Sequence, residues 1–195
     1  MDFLRIWLTG YLNPARMVEE LAKKPAPRWG YYGQLCRAVL DSLLLYLPLA
    51  LMGWEPSTPS YLSFLSNDVY YAASAFLMPF FLLAQWLLLS VTVHSVLRLG
   101  GWQSDVDQIL NITGMVALVV GAFLVVWDWG YILLGGRDPI FLGMSHLVLD
   151  IWAVYITVIG FRRMLGIPTW LAILLNVLWL LLGLPLAILF ARGPV

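Results

Sequence analysis

Apolar residues run almost unbroken through five stretches of this chain, near Leu35 to Trp54, Val69 to Leu97, Val106 to Trp127, Phe141 to Phe161 and Pro168 to Ala191. Each is long enough to cross the roughly 30 Å hydrocarbon core of a bilayer, which takes about 20 helical residues. Lipid offers no partner to an exposed backbone group, so a spanning segment is a helix or part of a closed barrel. The strict alternation of a barrel strand is absent. The pattern therefore predicts an all-α polytopic membrane protein: a bundle of five transmembrane helices, residues 35–195, preceded by a short amphipathic segment, residues 1–34.

Within that first segment Phe3, Leu4, Trp7, Leu8, Tyr11 and Leu12 recur at helical spacing, which predicts a short helix whose apolar stripe lies flat on the bilayer. A second helix follows, with Asn13 as N-cap, Pro14 at the first position and Pro25 as its stop. Met17, Val18 and Leu21 form its apolar side. Arg16, Glu19, Glu20, Lys23 and Lys24 form a charged side, read as a solvated surface with i,i+4 pairs such as Glu19 with Lys23. A docking surface for a cytoplasmic protein is the alternative for that face. Glu55 to Asp68 is a Pro- and Ser-rich loop, and Pro48, Pro79 and Pro185 lie inside or near the ends of spans, where they remove a backbone bond, with the second and fifth spans expected to be bent. No internal repeat of the inverted-transporter kind is present.

Composition agrees with the pattern: 62% of residues are hydrophobic and 11% charged, where soluble domains carry about a quarter charged residues. The net charge is zero, so no nucleic-acid partner is implied. Cys36 is the single cysteine and can form neither an internal disulfide nor a thiolate metal site. The N-terminus lacks a small-residue cleavage site and does not read as a removed signal peptide. Arg5, Arg16, Lys23, Lys24, Arg28, Arg37, Arg98, Arg162 and Arg163 fall on one side of the five spans, and only Arg137 and Arg192 on the other. Positive charge accumulates on cytoplasmic flanks, so the N-terminus is expected inside and the C-terminus outside. Trp29, Trp54, Trp102, Trp127, Trp129 and Trp170 stand at predicted span ends, where indoles favour the headgroup region.

The residues that can carry chemistry are the polar ones inside the spans. His146 and Asp150 stand four apart on the fourth span, where a carboxylate can hold the imidazole's tautomer or raise its basicity. A buried structural pair explains them as well, with a proton or metal role as the alternative. Asp128 is the one further ligand expected at similar depth, which is too few for a zinc site, so no metal or other cofactor is expected. Asp41, His94, Asn111 and Asn176 fall at comparable depth, with Gln85 nearer the midplane, and can serve as interhelical hydrogen bonds. A polar path from His94 past Gln85 to Asp150 and Asp128 would need them to converge around water. Arg37 and Asp41, four apart, can pair with each other. The sequence Gly143-Met144-Ser145-His146 lacks the second glycine of a nucleophile elbow, and there is no HExxH, P-loop or dinucleotide fingerprint. Asp105 and Asp107 read as caps of the third span. An enzyme is not expected.

The opening NPARMVEELAKKPAP, the second span ending in VHSVLRLGG, the fourth carrying HLVLDIW and the five closely spaced spans together resemble the prokaryotic branch of the Yip (Ypt/Rab-interacting protein) domain family of membrane proteins. The resemblance covers nearly the whole chain. It implies a five-span helical fold with its N-terminus inside, a tendency to self-associate, and a role in membrane organisation or trafficking. Gly114, Gly121 and Ala122 in the third span are small enough for close helix approach in a homo-oligomer. The expectation is a non-enzymatic multi-pass protein of a prokaryotic inner membrane whose partners are the lipid bilayer, another copy of itself and a cytoplasmic protein. The alternative is a small channel or transporter for protons or a divalent metal ion using His146, Asp150, Asp128 and His94.

Overall fold

The computed structural model describes residues 2–24, 26–56, 61–62 and 64–190, with residues 187–190 described by their backbone alone. Pro25 with its assigned helix stop, the centre of the Pro- and Ser-rich loop, and Arg192 lie outside the described residues. Among the described residues there are seven helices and no strand: α1 (Asp2–Leu12), α2 (Pro14–Ala22), α3 (Arg28–Leu51), α4 (Asn67–Leu99), α5 (Val106–Leu133), α6 (Pro139–Leu165) and α7 (Thr169–Phe190). Helices α3 to α7 are long and apolar enough to cross a membrane. The fold is thus an all-α polytopic bundle.

Local signals set several helix starts. The Asn13 side chain accepts the Arg16 amide at 3.0 Å, with Pro14 in the first helical position. Asp105 Oδ1 accepts the amides of Asp107 and Gln108 at 2.9 and 3.4 Å, and Asp138 Oδ1 those of Ile140 and Phe141 at 2.9 and 3.3 Å. These bonds satisfy the N–H groups that a helix start leaves free. Helix α3 begins at Arg28, ahead of the expected Leu35. Arg37 is therefore not a flanking charge but stands about 13 Å along the helix at 1.5 Å per residue.

Helix α5 is the centre of the bundle, with 67% of its most apolar window buried against 17% for α6. It runs parallel to α3, because Gly30, Gly33, Arg37 and Leu44 meet Leu110–Gly114, Gly114–Met115, Gly121 and Trp129 in ascending order. Glycine permits this approach. A Cβ on Gly33 would lie 2.6 Å from the Gly114 carbonyl oxygen, and one on Gly114 would lie 2.6 Å from the Gly30 carbonyl carbon. Gly114 and Gly121, expected to face another molecule, are thus occupied by α3 of the same chain. Asn111, fully buried, locks the contact: its Oδ1 accepts the Gly30 amide at 2.9 Å and its Nδ2 donates to the Ala26 and Lys24 carbonyls at 2.9 and 3.2 Å.

Two prolines inside spans are compensated from neighbouring helices. Pro48 has no N–H to offer the Leu44 carbonyl and its ring crowds that oxygen. The preceding turns, Asp41–Tyr46, widen into a π-helix in which the Leu47 amide bonds the Ser42 carbonyl. The Leu44 carbonyl accepts Trp129 Nε1 of α5 at 2.5 Å. Pro79 likewise cannot serve the Ala75 carbonyl, which accepts the Ser42 hydroxyl from α3. Foreign donors of this kind allow proline in a helix that has no water to turn to.

The two N-terminal helices do not simply lie on the bilayer. Ile6, Met17, Val18 and Leu21 are buried at 0–1% exposure in one core with Ile109, Ile112 and Val119 of α5 and Ile156 and Phe161 of α6. Arg163 at the end of α6 bonds Glu19 at 2.5 Å and the Ala15 carbonyl at 3.0 Å. Glu19 is therefore paired across helices, in place of the expected Lys23. Glu20 is bridged by Arg5 at 3.0 Å and Arg16 at 3.4 Å, so only part of the charged side is solvated. The predicted stripe of α1 is split. Phe3, Trp7 and Tyr11 pack on the core, while Leu4, Leu8 and Leu12 point outward at 57, 55 and 91% exposure.

Candidate functional site

His146 and Asp150 do not form the hydrogen-bonded pair their spacing suggests. His146 Nε2 meets Asp128 Oδ1 of α5 at 2.7 Å, with the Asp128 side chain 5% and the His146 side chain 30% exposed. One residue earlier on each helix, Trp127 Nε1 donates to Ser145 Oγ at 2.8 Å and Ser145 donates to the Leu142 carbonyl at 2.6 Å. The two contacts stitch α5 to α6. They also leave Ser145 without the base that a nucleophile requires.

His94 belongs to a different place. Its Nδ1 bonds Ser104 Oγ at 2.9 Å across the short connection between α4 and α5. Asp128 stands near the opposite end of α5, about 33 Å from Val106 at 1.5 Å per residue. The four candidates His146, Asp150, Asp128 and His94 therefore do not converge. Nor do the interior polar residues form one cluster, since Asn111 clamps the start of α3 and Asp41 pairs with Arg37 at 2.8 Å. Among the described residues no three His, Cys, Asp or Glu side chains are grouped as a metal site.

A polar interior does exist, built from other combinations. Helices α3 to α7 line a partly open cavity of about 250 Å³, to which Gln34, Arg37, Gln85, Asp150 and Asn176 bring polar groups. Gln34 Nε2 donates to the Leu82 carbonyl at 3.0 Å, Gln85 Nε2 to the Gly183 carbonyl at 3.2 Å, and Asn176 Nδ2 to the Ala172 carbonyl at 2.8 Å. Asp150 is half-buried, makes no hydrogen bond to a described residue, and lies within electrostatic reach of both His146 and Arg37. Gln34 Oε1, Arg37 Nη1 and Asp41 Oδ1 are buried without a hydrogen-bond partner. A Cβ on Gly121 would overlap the Arg37 guanidinium, so glycine makes the room in which that cation crosses α5.

Sequence reading brought Gln85, Asn176 and Asp150 into view but missed Gln34 and treated Arg37 as a boundary charge. The signal was available, because positions 34, 37 and 41 fall at i, i+3 and i+7 and so share one helix face. The arrangement can bind and orient polar groups inside the bundle. The chain matches no family model, no curated protein and no solved structure.

Proposed function

We propose that this chain is a non-enzymatic membrane protein of the Yip type, which organises its membrane and engages other proteins at the end carrying α1 and α2. In this reading that end is cytoplasmic, in a prokaryotic inner membrane, as the flanking Lys and Arg residues favour. One observation carries the proposal: α1 and α2 are fixed to α5 and α6, yet α1 leaves Leu4, Leu8 and Leu12 uncovered beside exposed Arg16 and Lys23. Such a stripe suits the acyl–headgroup boundary, and the fixed hairpin holds the charged residues above it for a partner. The polar side chains inside the spans are mostly spent on tying helices together, which supports a scaffold over a catalyst.

The test substitutes the exposed stripe and spares the docked face. Leu4→Ser, Leu8→Ser and Leu12→Ser together should leave folding intact while abolishing photo-cross-links from positions 16 and 23 to other proteins in native membranes. Undiminished cross-linking, or none in the parent, overturns the proposal. Proton movement is a second reading, favoured by the buried Asp128–His146 contact. Protein-dependent collapse of a pH gradient in liposomes would support it over the scaffold. Its divalent-metal form has less support, given the absence of a three-ligand group among the described residues.

A further inference from the structure

The three amide side chains of the interior cavity all face the same way in chemical terms. Each gives its nitrogen to a backbone carbonyl: Gln34 to Leu82, Gln85 to Gly183 and Asn176 to Ala172. A carbonyl can only accept, so the group meeting it must be the NH2 end. The amide oxygens are left over, and none has a donor among the described residues. Gln34 is 4% exposed and its Oε1 is buried without a partner. On the adjoining wall Asp150 adds a carboxylate that accepts no hydrogen bond from a described residue. Arg37, the one cation of the lining, meets Asp41 through Nη2 at 2.8 Å, while its Nη1 is buried without a partner. Asp41 stands outside the lining and pairs with Arg37, so Asp150 is the lining's one carboxylate, without an ion-pair partner among the described residues.

We propose that this cavity is a binding site for a small primary ammonium ion with a short apolar body. Three N–H donors on one cationic nitrogen complement an unpaired carboxylate beside amide oxygens. Trp86, Leu89, Val116, Val120 and Trp179 supply an apolar wall for the body, and an indole face also attracts a cation. Size favours an organic ion over a bare metal ion. Since a cavity of about 150 Å³ accepts benzene, the observed 250 Å³ corresponds to about ten non-hydrogen atoms on the same scale. Divalent ions prefer several carboxylates, and a single one lines the pocket.

The full chain in phosphatidylglycerol nanodiscs is titrated with n-butylammonium chloride, with sodium chloride at equal ionic strength and with 1-butanol, following the melting temperature and ligand saturation-transfer NMR. Butylammonium alone should stabilise the protein and show saturable binding. Asp150→Asn, which removes a carboxylate free of protein hydrogen bonds, should weaken binding at least tenfold. Ala117→Met, which fills the cavity from α5, should abolish it and serves if the Asn variant does not fold. An equal response to 1-butanol or to sodium, or unchanged binding in both variants, overturns the proposal. Phosphatidylethanolamine in the discs separates the two sources of such a group: competition assigns it to the lipid headgroup, and an unaltered isotherm to a soluble amine.

Discussion

Gly114→Ala perturbs the contact on which the α3–α5 pair is built. The added Cβ would stand 2.6 Å from the carbonyl carbon of Gly30 and 2.8 Å from its Cα, where ordinary contact begins at 3.4 Å. Backbone cannot rotate aside as a side chain can, and the Gly30 carbonyl oxygen stands closer still, so α3 must back away by about 1 Å or more, a gap that forfeits at least a quarter to a half of each contact's attraction. Overpacking of this kind costs about 1–3 kcal/mol. The same displacement takes the 2.9 Å bond from the Gly30 amide to Asn111 out of hydrogen-bonding range, and orphaning a buried donor adds about 1–3 kcal/mol. The expected loss is thus about 4 kcal/mol, a large share of a typical total of about 5–15 kcal/mol. Equilibrium unfolding of the detergent-solubilised protein measures it, with Gly143→Ala on α6 as the matched control. A Cβ there meets nothing within 4 Å, and alanine is the better helix former by about 1 kcal/mol. If the two variants unfold alike, the close-approach argument is wrong.

Trp129→Phe strands the Leu44 carbonyl and should cost about 1–3 kcal/mol, but less in a Pro48→Ala background that restores a backbone donor; strict additivity in the double-mutant cycle refutes that account. Asp128→Ala and His146→Ala should each lower stability by a similar amount, whereas Asp150→Asn should leave it within about 0.5 kcal/mol, and thermal melts showing an equal cost for Asp150→Asn would return the pairing to the fourth span's own i,i+4 neighbours. A periplasmic reporter fused at Val195 should be active and a cytoplasmic one silent, and the reverse would overturn the orientation.

Hydropathy reports the average surroundings of a segment, which is why the five spans are legible from sequence while their rotations are not. Asn13 and Asp105 are readable as caps because capping is settled within three residues. The stripe from Phe3 to Leu12 is readable as apolar, but amphipathicity does not tell lipid from protein: of that stripe Phe3, Trp7 and Tyr11 join Ile6 against protein, while Leu4, Leu8 and Leu12 stay exposed. The spacing of His146 and Asp150 reports neighbours along one helix, whereas the observed partner, Asp128, comes from α5. Gly114 and Gly121 are legible as small residues, yet nothing local says that Gly30 and Arg37 of the same chain come to occupy them. Gln34 fell one residue outside the expected first span, so an error of less than a turn removed the most deeply buried amide of the cavity from view.

Met17, Val18 and Leu21 leave the ribosome long before the side chains that bury them. Ile156 and Phe161 follow about 140 residues behind Leu21, an interval of about 7–28 s at 5–20 residues per second. Until α5 and α6 are made, the apolar side of α2 has α1 and the membrane surface to shelter on, a resting place amphipathic helices accept. The surface-lying arrangement that the N-terminal pattern describes suits the chain before α5 and α6 exist, and the docked hairpin is what their side chains permit.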